Sequence, residues 1–169
     1  MDSEKDILIE RAKKTAGRKN RNANISVEQI TVVEFLLAPE RYAFAEAYVS
    51  EVLSLKEITT IPGTPAFVMG VINLRGRVVS IINLKTLFNL KERGLTELNK
   101  VMILKNETME FGVVADSILG NTIIELNKLS APPITLDNAG IDYIAGVSAE
   151  GMILLNAESL LTSKQIIQK

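Results

Sequence analysis

From Ile30 onward the apolar residues come in short runs cut off by glycine, proline or asparagine. That punctuation restricts the chain to a fold built mostly of short strands. Ile30 to Ala38 holds two β-branched valines, a threonine and a phenylalanine, with apolar residues in both parity classes. This is the pattern of a strand covered on both faces. Pro39-Glu40-Arg41 reads as a turn and Tyr42 to Phe44 as the start of the return strand. Ala45 to Leu55 fits either state, since its alanines and glutamates favour helix while Val49, Val52 and Leu55 serve both. Gly70 to Asn83 reads as a hairpin turning at Arg75-Gly76, where glycine supplies a positive φ. Asn83 then caps a short helix with Leu84, Leu87 and Phe88 on one face, closed by Lys91-Glu92-Arg93-Gly94.

A second run follows the first. Val101 to Leu104 and Phe111 to Ala115 form a hairpin through Lys105 to Thr108, with Gly112 marking a close backbone approach. Leu119-Gly120-Asn121 is a turn candidate before Thr122 to Leu126, and Pro132-Pro133 marks a loop. Tyr143 to Val147 and Met152 to Leu155 pair around Glu150-Gly151, and Asn156 caps a final helix carrying Leu160, Leu161, Lys164 and Ile167. Gly70-Val71 through Leu87-Phe88 resembles Gly146-Val147 through Leu160-Leu161: strand, glycine turn, strand, asparagine cap, apolar helix. Two related barrel-like halves explain this, and so does chance likeness between two amphipathic hairpins of different spacing. Closed or nearly closed barrels suit such strands, because closure removes exposed edges.

The chain has no cysteine and no histidine. Disulfides, thiolate nucleophiles, cysteine-ligated metals and the commonest general base are therefore excluded. No phosphate-binding or dinucleotide-binding glycine pattern and no calcium-binding carboxylate array occurs. Ser80 has no histidine to activate it, and Glu46 with Glu51 reads as surface charge. No metal site and no cofactor is expected. The 19 basic and 20 acidic residues leave a net charge of −1, so nucleic acid is not an expected partner. Through Asn24 there are seven basic and four acidic residues, against 12 and 16 in the remainder. The stretch Arg11 to Arg21 reads as a solvated basic tail, with contact to a membrane surface or acidic partner as the alternative. Ile7-Leu8-Ile9 is too short for a signal peptide, and no apolar window is long enough to span a bilayer. A cytoplasmic location without direct membrane insertion is expected.

Arg75 stands at the hairpin apex between strongly apolar strands, where its planar fork can meet a carboxylate or remain solvated. The surrounding stretch, Ile58-Thr59-Thr60-Ile61-Pro62-Gly63-Thr64-Pro65-Ala66-Phe67-Val68-Met69-Gly70-Val71-Ile72-Asn73-Leu74-Arg75-Gly76-Arg77-Val78-Val79, closely resembles the signature of the CheW family of chemotaxis coupling proteins. The similarity extends to Phe35-Leu36-Leu37, Tyr42-Ala43-Phe44, Val49 to Val52, Phe111 to Asp116 and Tyr143 to Val147, covering roughly residues 30 to 163.

The resemblance implies a mainly β fold: two SH3-like five-stranded barrels packed over a shared apolar core, with short helices including one at the C-terminus. Residues 1–28 are expected to be a disordered basic tail, and 29–169 a CheW-like domain of two intertwined barrel subdomains. The implied role is a non-catalytic adaptor joining chemoreceptor cytoplasmic tips to the regulatory domain of a chemotaxis histidine autokinase. Such an adaptor is cytoplasmic and is recruited to membrane receptor arrays through its partners. Neither a kinase domain nor a receiver domain fits within the sequence. By motif alignment, Val33, Val49, Val52, Ile118 and Leu119 fall on the receptor groove between the barrels, with Glu51 and Arg75 near it. Val78 and Val101 fall on the kinase surface. Ser80 stands where the family commonly has proline, and Asn83 where it commonly has aspartate. Competing readings are an enzyme using lysine and carboxylates on a small molecule, and a CheW-like adaptor of a non-swimming chemosensory pathway.

The composition of the first residues generates a direct test. Limited proteolysis should trim the basic stretch rapidly and leave a resistant core beginning near Ile25 to Ile30. A basic stretch protected in the isolated protein would contradict this division.

Overall fold

Two five-stranded sheets carry the fold, and each takes strands from both halves of the chain. The structure, a computed structural model, describes residues 28–55, 57–90, 99–132 and 142–167, apart from the side chains of Gln165 and Ile167. The first half supplies β1 (Gln29–Leu37), β2 (Glu40–Ala45), β3 (Val49–Ser54), β4 (Val68–Leu74) and β5 (Arg77–Ile82). The second supplies β6 (Lys100–Lys105), β7 (Glu110–Ala115), β8 (Ser117–Glu125), β9 (Ile144–Val147) and β10 (Ile153–Leu155). One sheet runs β8-β1-β2-β10-β9 and the other β3-β6-β7-β5-β4. Thus each half gives its first two strands to one sheet and its last three to the other. The two copies of the faint repeat in the sequence are the hairpins β4–β5 and β9–β10, which end the two sheets at equivalent places.

Both sheets are closed by one further backbone bridge. Beyond β3 the chain reaches Thr59, which exchanges hydrogen bonds of 2.9 and 2.8 Å with Val71 of β4. Beyond β8 it reaches Ser130, which does the same with Val147 of β9 at 2.8 and 2.9 Å. A glycine precedes each bridging valine. A Cβ on Gly70, whose φ is +146°, would stand 2.2 Å from the Thr59 carbonyl oxygen, and one on Gly146 would stand 2.8 Å from Leu129 Cβ. These glycines let the terminal strands approach closely enough to complete two barrels.

Strand alternation then divides the apolar side chains among three clusters. In β6, Met102 and Leu104 join a central cluster, while Val101 and Ile103 face one confined to their own sheet. In β10, Ile153 and Leu155 join the centre, while Leu154 and the preceding Met152 pack with Val32 and Ala43. Burial on both faces is why these strands read as continuous apolar runs. Gly112 makes room for Ile81 and Val101, since a Cβ there would lie 2.8 Å from each. Aromatic rings join the halves through the centre: Phe35 contacts Phe44 and Tyr42, Tyr42 contacts Phe88, and Phe88 contacts Tyr143, with centroids 5.3 to 6.3 Å apart. Burial, and secondarily Glu40, pushes the Tyr42 hydroxyl up to about 12.

Two short helices cover the central cluster. In α1 (Leu84–Leu87), the Asn83 side chain accepts the amides of Lys85 and Thr86 at 3.0 and 3.3 Å. In α2 (Ala157–Leu161), Asn156 accepts the amide of Ser159 at 3.0 Å. Lys85 of α1 is buried and pairs with both carboxylate oxygens of Asp116 at 2.9 and 3.0 Å, while Asp116 also accepts the Ala38 amide at 2.8 Å. One carboxylate therefore ties the β1–β2 turn, α1 and the β7–β8 junction together.

Several sequence expectations are corrected. Leu119-Gly120-Asn121 is no turn: β8 runs through it, and Gly120, at φ +126°, accommodates a bulge opposite Glu34 and Phe35. The first turn is confined to Ala38-Pro39, because Glu40 and Arg41 already pair with β1. Ala45 to Leu55 divides into a 3-10 turn, Glu46–Tyr48, and strand β3. The final helix breaks after Leu161, and α3 (Lys164–Ile167) follows with Lys164 exposed. The expected tail (apart from Glu28), Lys91 to Gly94 and Pro133 lie outside the described residues.

The two bridging glycines should differ in their sensitivity. Gly70→Ala forces a Cβ into backbone at a left-handed φ and should cost about 3 kcal/mol or more. Gly146→Ala meets the Leu129 side chain without that strain and should cost about 1–2 kcal/mol. Urea unfolding of both variants checks this, and a neutral Gly70→Ala would refute the closure argument.

Candidate functional site

The strands β3 and β8 occupy equivalent places in the two sheets, each beside the first strand of the other half's hairpin. Both carry a bulge at the equivalent point. It lies between Val49 and Glu51 on β3, and at Leu119 on β8, between the partners of Phe35 and Glu34. Val49 and Ile118 flank these bulges at matching positions, and both are partly buried against the central cluster. Directly paired residues share a face of a sheet. Val49 and Val52 lie opposite the central residues Leu104 and Met102, and Ile118 and Asn121 lie opposite Phe35 and Val33. Ile123, opposite Thr31, continues that row. Val52, Leu119 and Ile123 remain 42, 48 and 63% exposed. Asn121 donates to the carboxylate of Glu46, three residues before Val49, which holds the start of β3 against β8.

The structure brings two other expected residues together. Arg75 and Gly76 both have positive φ, 50° and 88°, forming a two-residue turn of the primed type that matches strand twist. The Asn73 side chain accepts the Gly76 amide at 2.9 Å and braces this turn. Arg75 donates through Nη2 to Glu51 Oε2 at 2.5 Å, with the two side chains 63 and 24% exposed. Barrel closure permits the contact, since it carries β3 round to the β4–β5 hairpin.

Val78, on β5, is 71% exposed. Its neighbour Arg77 makes a two-pronged pair with Glu110, Nε to Oε1 at 2.9 Å and Nη2 to Oε2 at 2.8 Å. That hydrogen bonding holds the Glu110 carboxyl below its usual range and raises the Arg77 guanidinium.

Val33 and Val101 do not fall on an accessible surface. Val33 belongs to the central cluster at 5% exposure, and Val101 packs with Val79, Ile81 and Val114 at 1%. Their strand parity turns both inward, so direct partner contact gives way to core packing. Sequence reasoning read Glu46 only as surface charge and placed Ile123 in a strand without giving either a role at the site. Asn121 was hidden by the mistaken turn at Leu119 to Asn121, where the available signal was strand-like sequence either side of a bulge glycine. Asn83 uses its side-chain oxygen as a helix cap, a task that needs no charge.

No group of three or more metal-binding side chains occurs among the described residues, and no helix among them is long and apolar enough to cross a membrane. A cleft of about 480 Å³ between the β6–β7 turn and α2 is lined by Tyr48, Ser50, Lys105, Asn106 and Glu158, and it contains none of the expected site residues.

Residues 31–165 match the family model described as CheW-like domain. The chain is 31% identical over 149 residues to chemotaxis protein CheW of Treponema pallidum (strain Nichols), an overlap of 84% of this chain and 88% of that protein. It is 32% identical over 122 residues to protein FrzA of Myxococcus xanthus, covering 69% and 76% respectively. The crystal structure of scaffolding protein TtCheW from Thermoanaerobacter tengcongensis is similar with a TM-score of 0.67 and 30% identity, over 75% of this chain and 88% of that one.

Burial separates the valines experimentally. Val52→Asp and Val78→Asp should melt within a few degrees of the parent, because surface substitutions usually change stability by within ~0.5 kcal/mol. Val33→Asp and Val101→Asp bury an unpaired carboxylate and should abolish the cooperative transition. Thermal unfolding of the four variants would contradict this placement if Val101→Asp melted like the parent.

Proposed function

The chain belongs to the CheW family, and from that premise we propose that it is a non-catalytic adaptor joining chemoreceptor cytoplasmic tips to a chemotaxis histidine autokinase. Residues 29–169 form the adaptor domain in this reading, and receptors recruit it from the cytoplasm to their arrays. The observation that carries the reading is the exposure of Val52 on β3 and of Leu119 and Ile123 on β8, two strands that hold equivalent places in the two sheets. Interfaces gain most of their energy from a few such desolvated contacts.

Val49, Val52, Ile118 and Leu119 supply the receptor contact. The Glu51–Arg75 pair beside them offers a charged rim whose guanidinium is already oriented by the turn. Val78, beside the Arg77–Glu110 pair, supplies the kinase contact from a different strand. Separate surfaces allow both partners to bind at once. Val33 and Val101 act from within, by fixing the strands that carry the exposed residues. Receptor state then reaches the kinase as a coupling free energy, typically ~1–3 kcal/mol, and array multivalency turns modest contacts into useful avidity.

Co-sedimentation with receptor-bearing membranes, with and without purified kinase, tests the proposal. The parent protein should pellet with receptors and carry kinase with it. Val52→Asp should lose most receptor binding and retain kinase binding, while Val78→Asp should show the reverse. Pelleting no greater than with receptor-free membranes, or loss of both partners in both variants, would overturn the assignment.

A further inference from the structure

β8 keeps one edge that barrel closure does not use. It pairs with β1 along one side, and the bridge that closes its sheet comes later, at Ser130. Leu126 donates to the Glu28 carbonyl at 2.8 Å, in register with the pairing of Glu125 and Gln29. Hydrogen-bonded and non-hydrogen-bonded pairs alternate along an antiparallel ladder, so Asn121, Ile123 and Glu125 occupy the non-bonded places. Their N–H and C=O groups therefore point away from β1. Among the described residues none of these groups has a backbone partner.

The equivalent strand of the other sheet is guarded. There Arg75, at the tip of the β4–β5 hairpin, reaches over to Glu51 of β3. The β9–β10 hairpin turns elsewhere, and its Glu150 carbonyl accepts Arg41 of β2 at 2.9 Å. β8 also lacks the usual protection of an edge, since Ser117 to Ile124 contains neither a charge nor a proline. A bulge at Leu119 ends the regular pairing on one side. The open stretch is thus Asn121 to Glu125, with Ile123 at its middle.

An edge of this kind is completed by another strand. We propose that the strand is β8 of a second copy of this chain, paired antiparallel about a two-fold axis through Ile123. A two-fold interface uses one patch twice, so the patch must complement itself. In this register Ile123 meets Ile123, covering the most exposed isoleucine among the described residues. Asn121 meets Glu125 on either side, which sets amide donors against a carboxylate. An axis at Asn121 or Thr122 would put Glu125 against Ser117 or Leu119, and an axis at Ile124 would put it against Ile123. Each of the three pairs exchanges two backbone hydrogen bonds. The interface is small, so pairing is weak and rises with concentration. It makes the protein bivalent, a property that goes beyond the adaptor reading and does not depend on it.

The absence of native cysteine makes the test direct. Residues bonded across the axis have Cα atoms about 5.5 Å apart, within disulfide range. Under mild oxidation of the full chain, Ile123→Cys should pass almost wholly into disulfide dimer. Val78→Cys, at an exposed position on the other sheet, should stay monomeric. Asn121→Cys and Glu125→Cys should each link poorly alone, since like residues lie about 13 Å apart along the strand, and readily when mixed. Sedimentation velocity should show the parent passing from monomer to dimer as concentration rises. Ile123→Pro removes an N–H that β1 does not use, and Ile123→Lys leaves every backbone bond in place; both should remain monomeric. Linking of Ile123→Cys no faster than of Val78→Cys, or of Asn121→Cys alone as fast as in the mixture, would overturn the inference. So would a parent that stays monomeric throughout, which leaves the edge to a strand of another protein. Neither receptor nor kinase enters these measurements, so their failure leaves the membrane co-sedimentation result standing, and the converse also holds.

Discussion

Two pairs of backbone hydrogen bonds, Thr59 with Val71 and Ser130 with Val147, decide the shape of the molecule. Without them each sheet would be an open ribbon with two long edges. Their formation depends on Gly70 and Gly146, because a side chain at either position would occupy the space of the approaching segment. Closure also has local consequences for the candidate surface. It brings Glu51 of β3 within reach of Arg75 at the tip of the opposite hairpin, a pair far apart in sheet order. Surface electrostatics here follow from backbone topology.

Much of the fold was legible in the amino-acid order. The hairpins at Arg75-Gly76 and Gly151 appeared as glycine turns between β-branched runs. The caps at Asn83 and Asn156 appeared as side chains able to accept helix amides. Gly112 was readable as a close approach because it interrupts an otherwise apolar strand. Harder to read was Gly120, since a bulge and a reversal call for the same residue at positive φ. Only the pairing of β8 with β1 distinguishes them, and that pairing is long-range. The candidate surface was less legible for a related reason. Val52, Val78, Val33 and Val101 are chemically alike, so their exposure depends on strand register and neighbouring elements. The motif resemblance supplied their names, whereas the three-dimensional packing sorted them.

The polar interior is economical. Asp116 serves Lys85 and the Ala38 amide together, so its carboxylate is compensated by both an opposite charge and a backbone donor. Removing one member of such a group leaves another uncompensated, which is why a single change in a largely buried pair costs more than one in a surface pair. The Glu51–Arg75 pair lies at the other extreme. Its exposure limits what it adds to stability, leaving its geometry available for recognition.

The reciprocal strand exchange also governs how the protein is made. When β5 leaves the ribosome, β1 and β2 still lack β8 and β10, while β3 lacks β6 and β5 lacks β7. Synthesis from β6 to the end of β10 occupies roughly 3–11 s at ordinary elongation rates. Throughout that interval neither barrel can be completed, and apolar strands of both remain without their final neighbours. The newborn chain is therefore a natural client for ribosome-associated chaperones, and maturation is concerted and late rather than domain by domain.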